Sequence, residues 1–223
     1  MNLDEVAPVI DVHPPNEPIH GWRDFFIHLT TITIGLLIAL SLEGCVEWRH
    51  HRHLAHEAET SLHAEIRQNS QAVQKYLVVV HKQQEALVKD VVILKHIIKN
   101  QKAPDASKIA LEFNITSLDN VSWKTAQSTG ALSYIPYELA QEYGDLYTTQ
   151  DELEVAEQQA ARDLIISVGP FINSGKDDPD PTGGQAESTK QKVEVLQGQL
   201  ILVNSLAETL DGQYKKFLAA HPD

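Results

Sequence analysis

The sequence predicts an all-α protein: a single N-terminal transmembrane helix that continues into a long stalk helix, with an extramembrane antiparallel helical bundle or coiled coil. Three observations lead there. Aromatic residues are sparse while Leu, Ile, Val, Ala, Gln and Glu are plentiful, a composition that favours helices over a sheet core. An apolar run from Phe25 to Val46 is long enough to cross a bilayer. Two further segments repeat apolar residues at alternating three- and four-residue steps, the signature of helices packing along a seam.

The elements follow in chain order. Residues 1–20 are polar and acidic, carry prolines at 8, 14, 15 and 18, and read as a disordered acidic tail. Residues 21–48 form the anchor. Between Phe25 and Leu42 the polar interruptions are His28, Thr30, Thr31, Thr33 and Ser41, and the run extended to Val46 has 22 residues. At about 1.5 Å per residue that spans a hydrocarbon core of about 30 Å. Trp22 and Trp48 bracket it, about 39 Å apart by the same rise, as interface anchors.

Leu42-Glu43-Gly44-Cys45 has the outline of a bacterial lipobox, which would start the mature chain at Cys45. Glu43 stands where such sites need a small or apolar residue, and the preceding region is long and acidic rather than short and basic. The segment is therefore expected to remain on the chain. On it, His28, Thr31, Gly35, Ala39 and Glu43 fall within about 80° of one another at about 100° per residue. Gly35 and Ala39 form a small-xxx-small pair that admits a close neighbour, so this face is the candidate for docking another membrane helix.

Residues 49–223 form the extramembrane bundle. No proline or glycine interrupts the chain from Val46 to Ala103, so one stalk helix is expected there. Its seam reads Leu62, Ile66, Asn69, Val73, Leu77, Val80, Gln84, Leu87, Val91, Leu94 and Ile98, with a four-residue stutter between Val73 and Leu77. Val78, Val79, Val88, Val92, Ile93 and Ile97 widen the stripe, and a stripe that wide wants more than one neighbour. Residues 103–121 are a connection with a short helix around 107–112. A helix from Ser122 ends near Gly130, and Pro136 suits the first turn of the next, which runs towards Ile166 with Leu139, Tyr143, Leu146, Leu153 and Leu164 inward. Residues 167–187, rich in proline and glycine, read as a surface loop. The last helix, about 188–219, turns Val193, Leu196, Leu200, Val203, Ala207, Leu210, Tyr214 and Phe217 inward.

The function classes narrow in the same way. The net charge is −13, of which −4 lies in residues 1–24, and an acidic chain poor in arginine is unsuited to gripping nucleic acid. A single cysteine excludes an internal disulfide framework and Cys-based zinc sites. In the run Arg49-His50-His51-Arg52-His53, with His56 and His63 beyond, His50, His53 and Glu57 share a helix face at metal-ligand spacing. The same imidazoles beside Arg49 and Arg52 equally suit lipid headgroups, which is the favoured reading. Asp178-Pro-Asp180-Pro-Thr182-Gly183 opens like a calcium loop, but Thr189 stands where the final glutamate belongs. Trp123, Thr125, Thr129, Gly130, Leu132, Tyr134 and Tyr137 form a dense aromatic and small-residue cluster, expected to close one end of the bundle. No phosphate loop, nucleophile elbow or HExxH pattern is present, and neither an enzyme nor a cofactor is expected.

The run from Trp22 to Asn69 is similar to the start of a large, loosely defined bacterial family of single-span membrane proteins of unknown function. The resemblance rests on Ile32, Gly35, Leu37, Ile38, Ala39 and Leu40 in the anchor, on the pair Glu47-Trp48, and on Glu65, Ile66 and Asn69. A second recurrent patch resembles residues 122–136. The resemblance implies an anchor and a helical domain and supplies no mechanism.

The expected function is a non-catalytic accessory or scaffolding subunit that docks onto and stabilises a larger membrane complex, an energy-transducing one among the candidates. Its partners would be the lipid bilayer and other membrane subunits, or copies of itself, through anchor and stalk. The alternative is an extracytoplasmic small-molecule or metal sensor signalling through a partner. The expected location is a bacterial inner membrane with one span. Arg23 against Arg49 and Arg52 is too small a difference to fix orientation; a short tail inside and a cysteine-free bundle in the periplasm is the arrangement expected.

Overall fold

The computed structural model describes residues 21–100, 114–172 and 183–222. Within them lie four α-helices and one 3-10 turn: α1 (Trp22–Asn100), α2 (Val121–Ser128), the turn η1 (Ala131–Tyr134), α3 (Tyr137–Ile172) and α4 (Gly183–Ala220). Among the described residues there is no strand, so the all-α prediction holds. The tail 1–20, the short helix expected at 107–112 and the Asp178–Thr182 calcium motif lie outside the described residues. The loop expected over 167–187 is shorter than that, because α3 continues to Ile172 and α4 begins at Gly183. Gly and Pro content overstated its length; both residues sit readily in the last and first turns of a helix.

The chain divides into two compact units, one ending at His50 and one beginning at His51. In the first, residues 21–50 are helical from Trp22 and exposed throughout. At its start the rings of Trp22, Phe25 and Phe26 pack on one another, with centroids 5.2–6.1 Å apart. Thr31, Thr33 and Ser41 each donate their hydroxyl to the carbonyl four residues back, at 2.9, 2.8 and 2.7 Å. This removes the hydroxyl proton from its surroundings and lets a polar residue sit in an apolar stretch at little cost.

The second unit is a bundle of α1 (from His51), α3 and α4. The α4 helix runs antiparallel to both others. It meets α1 through His63 against Phe217 and Gln84 against the Leu200 carbonyl, and α3 through Glu142 against His221 and Gln150 against Tyr214. By contrast α1 and α3 run the same way, since Glu65 meets Tyr147 and Asn69 meets Gln150. Two parallel helices in succession require the chain to return between them. The return ends in a non-helical strap, Asn114–Asn120, whose bonds step down α1 from Gln83 to Asn69.

All eight inward positions expected in α4, Val193 to Phe217, are buried, and Thr189 and Ala186 extend the pattern backwards. Burying a leucine there is worth roughly 1.5–3 kcal/mol, so Leu196, Leu200 and Leu210 alone are a large share of a domain's stability. In α3, Tyr143, Leu146 and Leu153 are buried while Leu139 and Leu164 pack at the margin.

The seam of α1 differs from its expected register. The buried side chains along the seam are Leu62, Ile66, Asn69, Val73, Tyr76, Val80, Gln83, Leu87, Asp90, Leu94 and Ile97, with Ala55, Glu65, Ser70 and Val91 buried beside it. Those steps alternate four and three without the stutter. Leu77, Gln84 and Ile98 are half-buried on the flank. Reading apolar residues alone selected Leu77 over Tyr76 and passed over Asp90, which created a discontinuity the helix does not have. Of the residues expected to widen the stripe, Ile97 is buried and Val79 and Ile93 pack at its edge, while Val78, Val88 and Val92 stay exposed.

The short elements are set by backbone chemistry. Gly130 has φ +72°, the left-handed conformation glycine adopts without strain, and it turns the chain from α2 into η1. Ile135 is extended, as the residue before a proline must be, and the Pro136 carbonyl accepts the first bond of α3 from Ala140 at 2.9 Å.

Candidate functional site

The candidate docking and interface residues of the apolar stretch all lie in the first unit. His28, Thr31, Gly35, Ala39 and Glu43 are all exposed, and among the described residues nothing beyond the helix's own adjacent backbone comes within 4 Å of the space a Gly35 side chain would fill. Thr31 keeps its hydroxyl proton on the Ile27 carbonyl, which leaves only an acceptor for a neighbour. The interface residues Trp22 and Trp48 are 75% and 58% exposed. An 18-residue window in this stretch has mean hydropathy 2.1 and none of it is buried by the chain's own packing. That is one helix long and apolar enough to span a membrane.

The histidines separate in the structure. His53 Nε2 lies 3.2 Å from Glu57 Oε1, both on the solvent side of α1. His51 instead stacks on Tyr134, with ring centroids 3.9 Å apart and planes 12° from parallel. His63 packs against Phe217 at 5.1 Å and edge-on to His221 at 6.3 Å, while His221 Nε2 lies 2.9 Å from Glu142 Oε2. Among the described residues no three His, Cys, Asp or Glu side chains gather where they would hold a metal ion, the His50, His53 and Glu57 spacing included.

No family model, no curated protein and no solved structure matches the chain.

The base of the bundle, where α1 enters it, is the most elaborate part of the second unit. The aromatic cluster is assembled from α1, α2, η1 and α3. Trp123 stacks on Tyr147 at 5.0 Å with planes 7° apart, fixing α2 on α3. Tyr147 is buried and donates its hydroxyl to Glu65 Oε1 at 2.5 Å. The other carboxylate oxygen of Glu65 accepts the Ser122 N–H at 2.7 Å. Asn120, at the N-cap of α2, makes no side-chain cap bond, so a carboxylate from α1 takes that role. Tyr134 and Tyr137, by contrast, are exposed. Between α1 and α2 lies an open groove of about 620 Å³ lined by Leu54, Ala58, Ser61, Thr125, Ala126 and Thr129.

Higher in the bundle the buried polar side chains serve the strap. Asn69 accepts the Asp119 N–H at 2.9 Å and donates to the Asp119 carbonyl at 2.7 Å; Gln150 donates to that carbonyl too, at 3.0 Å, and accepts the Tyr214 hydroxyl at 2.7 Å. Glu157 accepts the Thr116 N–H at 3.0 Å. Burial raises the Glu157 carboxyl above its usual range, partly offset by the Tyr76 hydroxyl and the Thr116 N–H. Burial likewise pushes the phenols of Tyr76, Tyr143, Tyr147 and Tyr214 well above their ordinary value, helped by the Glu157 charge at Tyr76 and by Glu65 at Tyr147.

Of this network the sequence shows Asn69 as a polar place in the seam and Tyr143 and Tyr214 as inward positions, but not Gln83, Gln150 or Glu157. The missed signal is a seven-residue repeat of Asn69, Tyr76, Gln83 and Asp90, one heptad position occupied by polar-capable side chains four times running. Within that repeat Asn69 and Gln83 turn to main-chain groups of the strap.

Proposed function

We propose that the chain is a non-catalytic, single-span accessory subunit that docks onto a larger membrane complex and stabilises it. The observation that carries this reading is the contrast between its two units. In the second, the heptad stripes of α1, α3 and α4 are covered by one another and by the strap. In the first, an apolar helix is left bare, with a glycine and an alanine one turn apart on the face that also bears Thr31. In hydrocarbon such a face gains by van der Waals contact with another helix, because backbones can approach closely there. The partner is another membrane subunit or a second copy of this chain, and the lipid bilayer is the solvent for the contact. The reading extends to a bacterial inner membrane with the bundle in the periplasm.

The test is mild detergent extraction from native membranes followed by sizing. The wild-type chain migrates with a larger assembly, and Gly35→Leu releases it without unfolding the bundle. A monodisperse monomer from the outset, unchanged by Gly35→Leu, sinks the proposal. Orientation is read from thiol labelling of Gln158→Cys in a Cys45→Ser background on intact cells; protection from a membrane-impermeant reagent places the bundle in the cytoplasm.

A ligand-sensing reading has one observation in its favour, the groove between α1 and α2 with its hydroxyl-bearing walls. Zinc chloride titrated into the solubilised chain tests the metal form of that reading. Heat of binding that survives His53→Ala and Glu57→Ala removes those residues from it.

A further inference from the structure

Within the second unit, the exposed faces of α1 and α3 are laced with charge, Lys75, Lys82, Glu85 and Lys89 on the first and Glu152, Glu154 and Arg162 on the second. The outward face of α4 differs. Val195, Gly198, Leu202, Ser205, Thr209 and Gly212 are all exposed, follow one another at steps of three, four, three, four and three, and carry no charge. They form a second heptad stripe, opposite the one that runs from Val193 to Phe217 in the core. Ile201 lies on its edge, and Val195, Ile201 and Leu202 are 57%, 66% and 49% exposed. An apolar patch on a helix that already buries its other face marks a contact with something outside the bundle.

The charges around the stripe say what covers it. Two copies of α4 lying parallel set every stripe residue against itself, so any charge there would meet its like. The edges fix the rest. In a parallel pair, a residue on one edge meets the residue five places further along on the opposite edge of its neighbour. One edge of α4 carries Glu187, Glu194, Ile201 and Glu208, and the other carries Lys192, Gln199, Leu206 and Gln213. The resulting pairs are Glu187 with Lys192, Glu194 with Gln199, Ile201 with Leu206 and Glu208 with Gln213 of the second copy. One is an ion pair, one is apolar, and none sets like charges together. Antiparallel copies do worse. Centred to bring Ile201 onto itself, they set Glu194 against Glu208 twice; centred on Leu202 and Ser205, they set Ile201 against Glu208.

We propose that α4 pairs in parallel with α4 of a second copy of this chain through the outward stripe. The helix is already held by α1 and α3, so the pairing has little left to order. Gly198 and Gly212 let the backbones come near, because among the described residues nothing beyond their own helix lies within 4 Å of where a side chain would stand. The contact lies wholly in the second unit and does not depend on the docking face around Gly35.

The experiment uses the full chain purified in dodecyl maltoside, with Cys45→Ser and Gly35→Leu throughout, which keeps an association through the apolar helix out of the readout. Sedimentation is expected to give a dimer. Leu202→Glu and Leu202→Lys each place like charges across the stripe and should weaken self-association by at least about tenfold; mixing the two chains should restore it. Circular dichroism should be unchanged in both, since residue 202 is exposed. With one cysteine at a time, mild oxidation should link Leu202→Cys and Thr209→Cys each to its own copy and leave Gln158→Cys on α3 unlinked. A monomer with the stripe intact, or a dimer indifferent to both charges, overturns the proposal. Preferential linking of Leu202→Cys to Ser205→Cys in a mixture makes the pair antiparallel and overturns it too. A monomeric purified chain whose Leu202→Cys, in native membranes, resists a permeant maleimide that reaches Gln158→Cys assigns the face to a different protein, and the proposal fails.

Discussion

Glu65 offers the sharpest test of how the base of the bundle is held. Its carboxylate is buried on α1 and serves two groups at once, the Tyr147 hydroxyl at 2.5 Å and the Ser122 N–H at 2.7 Å. Glu65→Leu removes both acceptors. Tyr147 is 2% exposed, so water cannot replace the lost partner, and α2 loses the only side-chain acceptor found at its N-terminus among the described residues. A hydrogen bond to a charged group contributes about 1.5–3 kcal/mol, and a buried donor left bare costs about 1–3 kcal/mol. Discounting for the apolar contacts leucine adds, the loss should be about 3–4 kcal/mol. Glu65→Gln keeps one acceptor and should lose roughly half of that. The assay is urea unfolding of the full chain in mild detergent, followed by far-ultraviolet circular dichroism. Tyr147→Phe in the Glu65→Leu background removes the orphaned hydroxyl, so the double variant should recover at least about 1 kcal/mol of what the single losses add up to. If Glu65→Leu stays within about 1 kcal/mol of wild type, or the two losses simply add, the carboxylate is not the tie described here.

Three further predictions come from the same interior. Glu157→Gln should stabilise the protein at neutral pH, because burial raises that carboxyl while glutamine still accepts the Thr116 N–H. A carboxyl raised on folding contributes its stability below the unfolded value and loses it as pH rises, so the gap between variant and wild type must close on acidification; a gap that widens refutes this. The four buried phenols have the same sign at the other end of the scale: their stability is intact below the ordinary tyrosine value of about 10 and falls as pH rises past it. Each contributes a slope of about 1.4 kcal/mol per pH unit, so the urea midpoint should fall steeply above pH 10, and a midpoint flat across that range contradicts the burial of these side chains. Gly130→Ala should cost about 1–2 kcal/mol through its positive φ alone, since among the described residues nothing beyond its chain neighbours lies within 4 Å of the added carbon; Gly130→Asn should cost less, and equal losses would point to a cause other than backbone conformation.

How much of this was legible follows from what each helix faces. The α4 helix packs on α1 and α3, both of which offer it apolar stripes, so its inward face is written in apolar residues and could be read off position by position. The apolar stretch before His51 is legible for a related reason: its length and hydropathy, enough to cross a membrane, are properties of the residues alone. The α1 helix faces α3 and α4 on one side and the strap on the other. The strap is not helical, and its N–H and C=O groups have no ladder to satisfy them. The seam must therefore supply side-chain partners, which is what Asn69 and Gln83 do from α1 and Gln150 and Glu157 do from α3. A search for apolar periodicity discards those positions, and the result is a stutter at Val73–Leu77 that the structure lacks.

The strap in turn is a consequence of topology. A helix pair joined by a tight turn would be antiparallel and could close on itself with apolar contacts alone. Here α1 and α3 are parallel, so the chain must travel back along the bundle before α3 begins. The described end of that return, residues 114–120, lies partly exposed across α1 and α3, and side chains of both helices take up its main-chain groups. Asn69 and Gln83, two seven-residue steps apart on α1, thus go with the parallel order of α1 and α3, although each residue taken singly looks like a weakness in a coiled coil. On this reasoning Asn69→Leu, which improves the apolar pattern, should weaken the bundle, because it strands the Asp119 N–H and leaves its carbonyl to Gln150 alone. A loss of about 1–3 kcal/mol in the urea assay is expected. A gain would mean that the stripe, and not the strap, sets the register of α1.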